Sequence, residues 1–186
     1  MIKTRPTELH GVHIITPELF RDSRGFFMET YNQKKYRVIG LDRTFVQDNY
    51  SHSCCGTIRG LHYQLKYPQA KLVSVIWGEI YDVAVDIRVG SPTFGKWVGQ
   101  VLSENNRCQL FIPEGFAHGF CVLSNRADVM YKCTKFYDKD DDYGILWSDP
   151  SIGIEWPRID PIVSEKDLSL SPLADIARNL LPVYEE

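Results

Sequence analysis

Arg59-Gly60-Leu61-His62-Tyr63-Gln64, with Lys71 shortly after, puts a guanidinium, an imidazole and an ammonium group into one short stretch. Such a set can take a proton from carbon beside a carbonyl. The imidazole is the base, and the cations hold an anionic substrate and its enolate. Each residue also has an ordinary reading. A histidine between Leu61 and Tyr63 can be a hydrogen-bonding residue of a strand, and Arg59 and Lys71 can make surface salt bridges. Cations beside apolar strands are costly unless an anion meets them, so a phosphate or an enolate would account for the pair.

Three further groups extend this chemistry. Ile112-Pro113-Glu114-Gly115-Phe116-Ala117-His118-Gly119-Phe120 contains P-x-G-x-x-H, the spacing of the second cupin motif, whose histidine is normally a metal ligand. The first cupin motif needs two histidines and a carboxylate. Here only His62 is present, with Gln64 where the second histidine would stand. Two histidines and an amide make a poor site for a divalent transition metal. The expectation is therefore a cupin pocket without metal. Tyr131 lies in a strand-like run and, placed inward, can return a proton to a carbanion. Tyr137 can stack on a base or sugar. Ser164-Glu165-Lys166-Asp167 fits a helix-capping box, and it also offers Asp167 as the carboxylate that orients His62.

The elements that must position these residues are mostly strands. Short β-branched or alternating runs recur at Gly11 to Ile15, Phe26 to Tyr31, Phe45 to Tyr50, Leu72 to Trp77, Glu79 to Arg88, Trp97 to Leu102, Gln109 to Ile112, Phe120 to Leu123 and Val129 to Phe136. In the Glu79 run, Tyr81, Val83, Val85 and Ile87 share a face. Ser51 to Gly56 reads as a loop. Asn32 is expected to cap a brief helix from Gln33 to Ile39, ended by Gly40. Ser171-Pro172 is expected to start a last helix with Leu173, Ile176, Ala177 and Leu180 on one face. Many closely spaced strands with little helix between them predict an all-β, antiparallel jelly-roll barrel with a few peripheral helices. Residues 1–186 are expected to form one domain.

The 186 residues are 44% hydrophobic and 24% charged, which is ordinary for a globular protein. A net charge of −3 leaves no broad basic face for nucleic acid. No apolar run is long enough to span a bilayer, and the N-terminal residues lack a signal-peptide core. The five cysteines, Cys54, Cys55, Cys108, Cys121 and Cys133, are odd in number and form no C-x-x-C pair. They are expected to be buried, reduced thiols of a cytoplasmic protein. No G-x-G-x-x-G turn suggests a dinucleotide cofactor.

With these residues in hand, the chain resembles the dTDP-4-dehydrorhamnose 3,5-epimerase family almost end to end. The likeness rests on Phe20-Arg21-Asp22-Ser23-Arg24-Gly25-Phe26-Phe27, Gln47-Asp48-Asn49, the Arg59–Gln64 block, Gln69-Ala70-Lys71-Leu72-Val73, Asp82-Val83-Ala84-Val85-Asp86-Ile87-Arg88, Ser91-Pro92-Thr93-Phe94-Gly95, the Ile112–Phe120 block and the Ser164–Asp167 block. The resemblance implies a cupin jelly roll without metal or redox cofactor, and a homodimer whose N-terminal strands cross to the partner's sheet. The implied substrate is a dTDP-linked 4-keto-6-deoxyhexose. His62 is implied as base, Tyr131 as acid, Asp167 as the partner of His62, and Lys71 as the cation at the enolate. Binding roles are implied for Arg24, Glu29, Gln47, Asn49, Arg59, His118 and Lys166, with Tyr137 toward the base or sugar. Asp142 stands where a glutamate is common. Rival expectations are an epimerase that inverts only C3 or only C5 or acts on another nucleotide sugar, a non-catalytic sugar-binding cupin, and a metal-dependent cupin enzyme.

Overall fold

The computed structural model describes residues 1–157 and 160–185. The chain begins with β1 (Lys3–Pro6) and β2 (His13–Thr16), then the hairpin β3 (Leu19–Asp22) and β4 (Gly25–Met28), then α1 (Gln33–Val38). The central strands are β5 (Gln47–Cys54), β6 (Ile58–Gln64), β7 (Lys71–Trp77), β8 (Glu79–Asp86), β9 (Trp97–Ser103), β10 (Gln109–Ile112), β11 (Phe116–Val122) and β12 (Arg126–Cys133). A short β13 (Asp142–Gly144) and the single turn α2 (Glu165–Leu168) follow. One sheet has the order β1-β2-β10-β7-β12-β5 and the other β13-β6-β11-β8-β9, while β3 and β4 form a ribbon of their own.

Three apolar clusters explain why these strands form two stacked sheets. Val12, Ile14, Val73 and Val75 meet Ile80, Ala84, Leu102, Phe116 and Phe120 in the space between the sheets. The outer face of the second sheet presents Leu61, Tyr63, Val83, Val85 and Ile87, covered by Ile145, Ile152, Leu173 and Leu181 from the C-terminal third. Tyr36 of α1, with Leu41, covers Ile15, Leu72 and Phe111 on the outer face of the first sheet. The strands of the second sheet are therefore buried on both sides, and their sequence carries apolar residues on both parities. The expected antiparallel jelly roll is present, as two separately hydrogen-bonded sheets rather than one continuous ladder.

The α1 expectation is met. Asn32 Oδ1 accepts the Lys35 N–H, and Gly40 follows at φ +87°. Other boundaries differ. The expected loop from Ser51 to Gly56 is strand as far as Cys54, because β5 pairs with β12 along its full length. Of its alternating polar residues, Gln47, Asn49 and Ser51 line cavities between the sheets and Ser53 accepts from Arg59. β11 starts at Phe116, earlier than the expected Phe120. The expected helix from Ser171 is two isolated 3₁₀ turns, Leu173–Asp175 and Arg178–Leu180, and Ser171 caps neither. Asp149 accepts the Leu173 N–H at 2.6 Å and Tyr63 donates to the Leu180 carbonyl. These tertiary bonds, with burial of Leu173 and Leu181, outweigh the helical periodicity. Of the five cysteine thiols only Cys121 and Cys133 are buried, and Cys54 is exposed.

Candidate active site

Period-two alternation decides which side chains enter the space between the sheets. Leu61 and Tyr63 turn outward to the second cluster, so His62 between them turns inward. Leu72 packs outward, so Lys71 and Val73 turn inward. Ala117 is outward and His118 inward, and Tyr131 packs against the inner cluster. Register then brings them level. His118 is opposite His62 between β11 and β6, and Cys133, two residues from Tyr131, is opposite Lys71 between β12 and β7. Gly60 and Gly119 allow these strands to close. A Cβ on Gly60 would lie 2.6 Å from Gly119 Cα, and the register shifts there between His118 and Phe120.

His62, Lys71 and Tyr131 line two adjoining cavities. The larger, about 510 Å³, is also lined by Arg59, His118, Lys166 and Asp167. The smaller, about 110 Å³, is also lined by Gln47, Asn49, Gln64, Tyr137 and Asp142. Both thus share one wall, at the three residues whose chemistry was singled out.

His62 Nε2 is 2.6 Å from Asp167 Oδ1. Burial works to raise the Asp167 pKa, but bonds from His62, the Gly60 N–H and Ser164 hold it below the ordinary carboxylate value. A carboxylate there accepts, so His62 carries its proton on Nε2 and keeps Nδ1 as the basic nitrogen. Ser164 Oγ accepts the Asp167 N–H at 3.1 Å as the N-cap of α2. Ser164 thus caps α2, and the same tetrapeptide places the Asp167 carboxylate against His62. Burial raises the Tyr131 phenol above its usual value, with Cys133 adding to the shift. It stays protonated at neutral pH, as a proton donor must. Burial lowers the Lys71 pKa, partly countered by Cys133, Asp142 and Asp82. Lys71 makes no hydrogen bond or ion pair among the described residues, so its ammonium is uncommitted. His118 is bonded through Nε2 to Asp82 Oδ1 at 2.7 Å. Burial depresses its pKa despite Asp82, so it is a neutral imidazole.

Arg59 donates through Nε to Ser53 at 3.0 Å. Asp142 accepts from the Tyr137 hydroxyl at 2.9 Å and from Lys166 at 2.5 Å. Gln47 donates to Asn49 at 2.9 Å. Eleven of the thirteen expected site residues thus line the two cavities. Arg24 and Glu29 do not, within one chain. Arg24 is on the turn of the β3–β4 hairpin, 88% exposed and paired with Asp22, and Glu29 bonds Asn32 and Lys35 beside α1. Among the described residues no group of three His, Cys, Asp or Glu side chains could hold a metal ion. Both histidines turn Nε2 to a carboxylate instead. Sequence reasoning assigned nothing to Asp82, Ser53 or the amide of Gln64. Asp82 left a signal, a carboxylate inside an otherwise apolar alternating strand.

The chain as a whole is similar to known proteins. A family model described as dTDP-4-dehydrorhamnose 3,5-epimerase matches residues 6–175. The dTDP-4-dehydrorhamnose 3,5-epimerase of Shigella flexneri is 56% identical over 171 residues, 91% of this chain and 94% of that protein. That of Methanothermobacter thermautotrophicus is 54% identical over 91% of this chain and 93% of its own. Among solved structures, the dTDP-6-deoxy-D-glucose-3,5-epimerase RmlC of Legionella pneumophila, in complex with dTDP-4-keto-L-rhamnose, superposes with a TM-score of 0.97 at 47% identity over all of both chains. Likeness at this level, over the whole length and in both sequence and fold, makes the chain a member of the dTDP-4-dehydrorhamnose 3,5-epimerase family.

Proposed function

We propose that the chain inverts C3 and C5 of dTDP-4-dehydro-6-deoxy-D-glucose to give dTDP-4-dehydro-L-rhamnose, a step of dTDP-L-rhamnose synthesis. The observation that carries this reading is the shared cavity wall of His62, Lys71 and Tyr131, with Asp167 seated behind the imidazole. Both carbons flank the C4 ketone, so loss of either proton gives an enolate. In a D-gluco chair the hydrogens on C3 and C5 are axial on one face, so a single base can reach both. His62 Nδ1 takes the proton. The uncommitted Lys71 ammonium meets the oxygen as it becomes negative, and Arg59 is a second cation in the same cavity. Tyr131 delivers a proton to the opposite face and the centre inverts. His118, neutral and held by Asp82, accepts from a sugar hydroxyl through Nδ1.

Residues 1–186 act here as one domain, since the cavity draws on both sheets and on α2 of the C-terminal third. The working unit is a homodimer. Phe20, Phe26 and Phe27 of the Arg24 hairpin are 50%, 50% and 66% exposed, an apolar surface suited to a second copy. Arg24 of one protomer then supplies the pyrophosphate contact, and Glu29 a further one, at the other protomer's cavity. Cys54, Cys55, Cys108 and Cys133, all as thiols, suit a reducing compartment, the cytoplasm. No helix among the described residues is long and apolar enough to cross a membrane.

Proton NMR of the reaction in deuterated water tests the activity: deuterium should enter at both C3 and C5, and the product should carry both centres inverted. Incorporation at one carbon alone would give the mono-epimerase reading instead. Mixing Arg24→Ala with His62→Asn protein tests the dimer. Mixed dimers should recover activity in one of two sites, whereas no recovery would place Arg24 outside the partner's site.

A further inference from the structure

Gln64 stands where the first cupin motif has a metal-binding histidine, and the mechanism above gives it no task. Its side chain is 5% exposed and its amide is fully engaged. Nε2 donates to the carbonyls of Tyr67 at 2.8 Å and Phe136 at 3.2 Å, and Oε1 accepts the Asp138 N–H at 2.9 Å. Two carbonyls and one N–H fix which way the amide points. Gln47 Oε1 accepts the N–H of Tyr137 at 2.8 Å. Three polar groups of the backbone around Tyr137, the Phe136 carbonyl and the N–H groups of Tyr137 and Asp138, are therefore held by two glutamine side chains from β5 and β6. The far end of the same tyrosine is held too, by Asp142, which lies opposite Gln64 in the β13–β6 register. Asp141 completes the anchor: its carboxylate accepts the N–H groups of Leu65, Lys66 and Tyr67, the turn that Gln64 also grips.

The Tyr137 ring held in this way lines the cavity of His62, Lys71 and Tyr131 on one side. On the other it borders a separate hollow of about 540 Å³ with Tyr67 and Phe136. It is a partition. Without Gln64 the ring would keep its ties to Gln47 and Asp142, but the backbone on either side of it would be released to shift toward that hollow.

We propose that Gln64 is a positioning residue of the epimerisation: it fixes Tyr137 as the side wall of the cavity and thereby sets how proton removal is shared between the two carbons flanking the ketone. This rests on the reading of the cavity as the epimerisation site. One base serving both carbons requires the sugar ring to shift between two stations, and a rigid wall limits that shift. A wall displaced by about 1 Å is enough to change the rate at one station by on the order of tenfold or more.

The test compares Gln64→Met, which keeps length but breaks all three bonds, with Gln64→Glu, which keeps the acceptor for Asp138. Exchange at C3 and C5 is followed by NMR in deuterated water with the wild type alongside, together with kcat, KM and the thermal midpoint. The expected result is a C3:C5 exchange ratio shifted by on the order of tenfold in Gln64→Met, with singly inverted product accumulating. Gln64→Glu should lie between it and the wild type. Equal loss at both carbons, or an unchanged ratio, in the folded variants would overturn the proposal. If Gln64→Met does not fold, the Gln64→Glu ratio decides. Wild-type protein that exchanges neither carbon would instead remove the activity itself.

Discussion

Lys71 enters the gap between the sheets with no hydrogen bond or ion pair among the described residues, and burial lowers its pKa. A desolvated cation only partly compensated by neighbouring charge is a cost to folding, and in the proposed mechanism the same property lets the ammonium respond to an enolate. Lys71→Met should therefore pull activity and stability in opposite directions. We expect kcat to fall by roughly 10²–10³, as for loss of one oxyanion donor, while the unfolding free energy rises by roughly 1–2 kcal/mol. Parallel turnover and urea-unfolding measurements check this; a stability loss would show that Lys71 has an unseen structural partner. At His62 the expectation is simpler. His62→Asn should lower exchange at C3 and C5 together by roughly 10²–10⁴, the range of general-base contributions. Tyr131→Phe should allow deuterium to enter while net inversion falls, because removal and return of the proton use different side chains.

The single turn α2 shows how an element can be small and still decisive. Ser164 Oγ accepts the Asp167 N–H, and Asp167 faces His62 across the chain fold. Ser164→Ala removes the cap, which costs about 1 kcal/mol, and it also frees the backbone that aims the carboxylate. We expect a lowered thermal midpoint and a reduced kcat with KM little changed, seen by calorimetry and steady-state kinetics. The β6–β11 pair carries the opposite kind of constraint. Gly60 has φ +111° and faces Gly119, so a methyl group on Gly60 meets backbone at 2.6 Å. Gly60→Ala should fail to give soluble protein, because neither strand has a flexible atom to yield.

Over the whole molecule, buried carboxylates set the acid limit. Burial acts to raise Asp86, Asp149 and Asp167, but the hydrogen bonds that each accepts outweigh it and hold all three below the ordinary 3.8. Their contribution is thus complete above the unfolded value and is lost as pH falls through the depressed folded values. Urea midpoints should begin to decline as pH falls below about 6.5, where the unfolded chain protonates a histidine that stays neutral in the fold, and drop more steeply below about 4. Asp149→Asn should flatten part of that drop and also weaken the tie to the Leu173 N–H. The decline between pH 7 and 5 should be smaller in His118→Gln, which separates the histidine from the carboxylates.

The chain alone determined the jelly roll and most of the side chains that line the cavities, because alternation and motif spacing are local properties that a strand preserves. His62 turned inward for the same reason that Leu61 and Tyr63 turned outward. The sequence did not reveal the pairing of His118 with Asp82, the grip of Gln64 on the Tyr137 backbone, or the collapse of the expected final helix into two 3₁₀ turns. Each of these depends on groups distant along the chain, such as Asp149 capturing the Leu173 N–H. The position of Arg24 belongs with them: its type is plain in the sequence, but the β3–β4 hairpin carries it away from both cavities of its own chain. Hydrogen bonds and burial between remote segments, not local preference, made those choices.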